Sequence, residues 1–131
     1  MADDRRPSAE TVLLVEDELD VRTLAREMLE SLGYAVLEAA TPADALEIFE
    51  RHQERIDVLL TDVVMPQMSG PRLARQLVAA RPGLPVLYIS GYTDTPTLDA
   101  GTPEPGTPFL HKPFGFEALA RTIRDVLDRP R

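Results

Sequence analysis

The apolar residues of this chain switch repeatedly between two spacings, and that constrains the fold most. Thr11-Val-Leu-Leu-Val15 is a continuous apolar run, the pattern of a strand buried on both faces. Val21, Leu24, Ala25, Met28, Leu29 and Leu32 then recur at helical spacing, and Gly33 stops the pattern. Tyr34 to Leu37 predicts a second short strand. Thr41-Pro42 predicts a capped helix start, with Ala45, Ile48 and Phe49 on one face. Val58 to Leu60 is a third strand, ending at Thr61-Asp62. A turn-rich loop, Met65 to Gly70, leads to a helix with Leu73, Ala74, Leu77 and Val78 inward, stopped at Arg81-Pro-Gly83. Val86 to Ile89 is a fourth strand, and Phe109-Leu110 starts a short fifth. The last helix aligns Phe116, Leu119, Ala120, Ile123, Val126 and Leu127.

Strands alternating with helices predict βαβ units, and right-handed crossovers predict an α/β, doubly wound parallel sheet of five strands. At 131 residues the chain supports one domain with a full core. Its expected bounds are 11–128, with a flexible N-terminus over 1–10 and a short tail over 129–131. Residues 91–108 hold four of the 12 prolines. Pro103, Pro105 and Pro108 are incompatible with a helix interior. The fourth helix is therefore expected to be short or irregular, around 95–100.

Composition narrows the setting. A net charge of -8 disfavours a nonspecific nucleic-acid or anionic-membrane surface, so neither is expected as a partner. The absence of Cys removes disulfides, thiolate metal sites and thiol nucleophiles. No apolar run is long enough to span a membrane, and the polar N-terminus does not read as a secretory signal. The expected location is cytoplasmic. One bias stands out: 13 of the 14 basic residues are Arg, and the single lysine is Lys112.

Ligands of such sheets bind beyond the carboxyl ends of the strands. Those ends carry Glu16-Asp17, Asp62, Ser90-Gly91 and Lys112-Pro113. In the order 2-1-3-4-5 they lie side by side. Three carboxylates in one place repel each other unless a cation intervenes. Mg²⁺ suits them, because it takes oxygen ligands and commonly combines carboxylates with phosphate oxygens. The hydroxyl and the ammonium remain for further phosphoryl oxygens. The set fits phosphoryl transfer, in which positioning and charge neutralisation carry the catalysis.

Four segments in order, VLLVEDE (12–18), LLTDVVMPQMSG (59–70), VLYISGY (86–92) and FLHKPF (109–114), make the chain resemble the receiver domains of two-component response regulators. The loop wording also resembles receivers attached to hybrid histidine kinases. The resemblance implies a flavodoxin-like (βα)5 fold, and a histidine kinase or histidine phosphotransfer protein as phosphoryl donor. It also implies a downstream protein target. Asp62 then matches the phosphorylated aspartate, Asp17 a direct Mg²⁺ ligand, Glu16 its acidic neighbour, and Val64 a ligand through its main-chain carbonyl. Ser90 matches the switch hydroxyl, Lys112 the lysine that pairs with the phosphoryl group, and Phe109 the aromatic that follows Ser90. Pro113 follows a peptide bond that is often cis in the family. By the same resemblance the domain is no independent enzyme; it catalyses only its own phosphorylation and dephosphorylation.

Taken singly, these residues have ordinary explanations. Glu16 and Asp17, with Glu18 and Asp20, suit a helix N-terminus. Asp62 suits a turn, Ser90 a strand end, Phe109 a core and Lys112 a solvated surface. His52 reads as exposed and His111 as structural, while Arg121 and Arg124 read as a solvated face. Joint spacing favours the shared site. Two other roles follow from the same residues. A receiver without its own output is a phosphate shuttle or sink in a phosphorelay. A phosphorylation-independent binding module would be expected to have a damaged acidic site, and this one is intact.

Overall fold

A computed structural model describes residues 10–90 and 108–128. Its elements are β1 (Thr11–Val15), α1 (Leu19–Ser31), β2 (Ala35–Ala39), α2 (Pro42–His52), β3 (Ile56–Asp62), α3 (Gly70–Ala80), β4 (Val86–Ser90), β5 (Phe109–His111) and α4 (Phe116–Asp128). The short helix expected around 95–100 lies outside the described residues. So do the expected flexible N-terminus up to residue 9 and the tail over 129–131.

The five strands are parallel and ordered β2-β1-β3-β4-β5, as the alternating pattern predicts. The inner strand β1, flanked by β2 and β3, is buried along its whole length, which accounts for its unbroken apolar run. Its side chains alternate between two cores. Leu13 and Val15 join Phe49, Leu59, Leu73 and Leu77 under α2 and α3. Val12 and Leu14 join Ala25, Leu29, Leu60, Leu119 and Ile123 under α1 and α4. The sheet is thus covered on both faces, and its polar strand ends are free to gather at one edge.

The helix starts explain where each strand end delivers its chain. Thr41 Oγ1 accepts from the Asp44 N–H (3.1 Å) and Ser69 Oγ from the Arg72 N–H (3.3 Å), so α2 and α3 are capped by short hydroxyl side chains. The N-cap of α1 is Glu18, whose side chain makes no cap hydrogen bond. Gly33 takes φ 97°, the left-handed turn that ends α1 and releases β2.

Some side chains depart from the sequence expectation. Leu24 and Phe116 fit the helical period, yet both are about half exposed. They sit at the margins of their stripes, beside the buried Ala25 and Leu29 of α1 and Leu119 and Ile123 of α4. His52 is half-buried rather than exposed. Arg124 is no simple solvated face. Its guanidinium bonds Glu10 (2.8 and 3.1 Å), Asp128 (3.2 Å) and the Tyr34 hydroxyl (3.4 Å), clasping α4 to the start of β1.

Candidate functional site

The parallel ladder runs one residue past the strands at their carboxyl ends. Glu16 N–H donates to the Ala39 carbonyl (3.1 Å), Val63 N–H to Ile89 (2.9 Å) and Lys112 N–H to Ser90 (2.8 Å). These bonds set the residues after β1, β3 and β5 in register, and the polar side chains converge there. Glu16 is fully buried, Asp62 is 4 % exposed, and Asp17 faces solvent. One carboxyl oxygen from each of Glu16, Asp17 and Asp62 lies within 4.8 Å of the others.

Lys112 reaches into the same place. Its Nζ stands 3.2 Å from Glu16 Oε1, 3.1 Å from Asp62 Oδ2 and 2.9 Å from Glu18 Oε1. Burial alone would lower the ammonium's pKa. Hydrogen bonds to Glu18 and Asp62, with the charges of Asp62 and Glu16, outweigh it and hold Lys112 firmly cationic. Burial dominates at Glu16 and pushes its carboxyl up to about 8. The Glu18 N–H, donated to Glu16 Oε2 at 3.1 Å, opposes this; the charge of Asp62 and a hydrogen bond with it add to the rise. Glu16 Oε1 is buried, makes the ion pair with Lys112 and has no hydrogen bond of good geometry.

The remaining expected residues surround this cluster. Ser90 is buried at the end of β4, beside His111 in the β4–β5 register. Phe109 is 37 % exposed; its ring lies 5.6 Å from that of Tyr88 and stacks on His111 at 6.3 Å and 14°. His111 therefore supports the aromatic ring from outside. Val64 is about half exposed on the loop after β3. The Lys112–Pro113 peptide is cis.

Three residues here were not legible as site residues. Gly70 opens α3 against the end of β3. A Cβ there would overlap the Asp62 carbonyl oxygen and lie 3.0 Å from the carbonyl carbon, so only glycine lets α3 approach Asp62 so closely. Arg22 donates to the Glu16 main-chain carbonyl (2.9 Å) and pairs with Glu38 of β2 (3.4 Å), fixing the turn after β1. Glu18 reaches Lys112. The signal for Glu18 was its type: Glu is a poor N-cap, where Asp, Asn, Ser or Thr is preferred.

The donor set suits a hard cation. All three groups are carboxylates, their oxygens are close enough to share one ion, and Glu16 carries a buried oxygen short of hydrogen bonds. Softer metals prefer the Cys and His ligands that are missing from this cluster.

A parallel sheet of this order, flanked by helices, is the fold of CheY-like receiver domains, among them the Vibrio cholerae chemotaxis protein CheY4 (TM-score 0.77, 28 % identity, covering 91 % of this chain and 99 % of that one). The response regulator receiver domain family matches residues 12–124, and the chain belongs to that family. It is 40 % identical over 119 residues to the sensor kinase CckA of Brucella abortus, covering 91 % of this chain and 13 % of the kinase. It is 33 % identical over 116 residues to the response regulator receiver protein CpdR of the same organism, covering 88 % of this chain and 95 % of that protein. The crystal structure of the receiver domain of the hybrid histidine kinase CckA superposes with a TM-score of 0.76 at 38 % identity, covering 90 % of this chain and 99 % of that domain. The chain is thus a two-component receiver domain related to those of hybrid kinases. Several other curated relatives are matched over only 26 % to 52 % of their length.

Proposed function

We propose that Asp62 accepts a phosphoryl group from the phosphohistidine of a histidine kinase or histidine phosphotransfer protein, and that the resulting charge switches the domain toward a protein target. One observation carries this reading. Asp62 is a buried strand-end carboxylate with an ammonium at 3.1 Å and two further carboxylates within metal-sharing distance.

The chemistry follows from the side chains. An Asp62 carboxylate oxygen attacks phosphorus in line as the phosphorus–nitrogen bond breaks. The imidazole nitrogen keeps that electron pair and takes a proton from solvent, leaving an acyl phosphate on Asp62. Glu16, Asp17 and Asp62, with the Val64 carbonyl, would hold Mg²⁺, which supplies charge neutralisation for the acceptor and the phosphoryl oxygens. Lys112 turns from its carboxylates to a phosphoryl oxygen. The Ser90 hydroxyl donates to another, and Phe109 repacks inward behind it. The added charge biases an existing equilibrium between two packings rather than creating a new one. The domain boundaries of 11–128 and a cytoplasmic setting belong to the same proposal; no described helix is long and apolar enough to cross a membrane.

Incubation with a phosphorylated histidine kinase, or with acetyl phosphate and Mg²⁺, tests it. Stoichiometric, base-labile phosphate is expected on the wild type and none on Asp62→Asn. Phosphate on another residue of that variant would overturn the assignment. The likeness to a sensor-kinase receiver favours a second reading, a phosphate shuttle or sink, which predicts rapid return of the phosphoryl group to a phosphotransfer protein.

A further inference from the structure

Glu18 occupies the N-cap of α1 but caps nothing with its side chain. The equivalent positions of α2 and α3 hold Thr41 and Ser69, and both do cap. Glu18 instead extends across the sheet edge to Lys112, 94 residues away, at 2.9 Å, the shortest of the three contacts at Nζ. An ammonium has three N–H donors. Here Glu18 and Asp62 accept hydrogen bonds from Nζ, and Glu16 Oε1 stands 3.2 Å away as an ion-pair partner without one.

The three partners differ in what becomes of them. Glu16 and Asp62 belong to the acidic triad, and a divalent cation there would draw their charge away from the lysine. Glu18 is outside that triad and 61 % exposed, and among the described residues its side chain pairs with Lys112 alone. It remains the competitor that a phosphoryl oxygen must displace. We infer that Glu18 masks Lys112 and thereby slows phosphoryl capture at Asp62, at the expense of a better helix cap. This rests on the phosphoacceptor reading above. Glu18 is a positioning residue: it acts on the reaction only through where it holds the ammonium.

Two variants separate contact from charge. Glu18→Gln keeps the length and removes the carboxylate charge, so the ion pair is lost and the ammonium keeps only a hydrogen bond to a neutral amide oxygen. Glu18→Asp keeps the charge but is too short to reach Nζ, and it restores a favoured cap to α1. Both leave the main-chain bonds of Glu18 intact, so the fold is preserved.

The measurement is the initial rate of acetyl phosphate incorporation at saturating Mg²⁺, with thermal melting recorded in parallel. Both variants are expected to react faster than wild type, by about two- to five-fold, the ratio that one half-exposed ion pair carries. Glu18→Asp is also expected to melt higher. Faster reaction of Glu18→Gln alone would mean that rim charge, not contact, sets the rate, and would overturn the inference. A slower rate in either variant would mean that Glu18 aims the lysine at the phosphoryl group, which also overturns it. Normal wild-type incorporation with unchanged variant rates would sink this inference alone. Absence of phosphate on wild-type Asp62 would sink the phosphoacceptor reading with it.

Discussion

Glu16 shows at the scale of one residue how a site can be assembled against stability. Its folded pKa of about 8 lies above the ordinary 4.5, chiefly because the carboxyl is buried. Between those values the folded protein holds a proton that the unfolded chain has released. Stability of the metal-free domain should therefore fall as pH rises from about 5 to 8 and level off above it. Glu16→Gln should flatten that decline, because a neutral amide has no proton to lose. Saturating Mg²⁺ should flatten it too, since a cation favours the carboxylate. Melting temperature against pH, with and without Mg²⁺, checks all three arms. An unchanged slope in Glu16→Gln would refute the assignment.

Elements show how far the sequence could be read. Every described strand and helix was visible in the alternation of spacings, because each apolar run ends where a turn or cap residue begins. The strand-end residues Glu16, Asp17, Asp62, Ser90 and Lys112 were visible for the same reason: parallel strands deliver their ends to one edge. What escaped notice depends on distances that periodicity does not encode. The helical spacing gives a face but not its width, so Leu24 and Phe116 read as core although they stand at its rim. The contact of Glu18 with Lys112 joins positions 94 residues apart and depends on side-chain reach. Gly70 read as part of a turn, whereas its function is to let α3 start against the Asp62 carbonyl. Gly70→Ala should force α3 back and cost about 1–3 kcal/mol. It should also slow phosphate incorporation, because Asp62 shifts with its main chain. Urea denaturation and the incorporation rate together check this.

At the scale of the molecule, the two cores are joined through the sheet, whose inner strands β1, β3 and β4 each contribute to both. Leu13 belongs to the core under α2 and α3, and Leu14 to the core under α1 and α4; both are fully buried. Replacing either by Ala should cost about 2–5 kcal/mol. Because β1 is common to both layers, neither should melt alone. Leu13→Ala is expected to speed hydrogen exchange in α4 about as much as in α3, although Leu13 belongs to the other core. Exchange confined to α3 would show that the layers are separable.

The ion pairs of Lys112 also bear on the order in which the domain becomes competent. The site joins position 16 to position 112, so it cannot form from a partly synthesised or partly folded chain. Glu16, Asp17 and Asp62 leave the ribosome early, but their cation partner follows only after β4 and the segment beyond it. Until β5 docks, the acids lack their ammonium. If Asp62 is the acceptor, its competence is thereby tied to completion of the fold, because a chain that stops before β5 lacks the lysine that pairs with its acids.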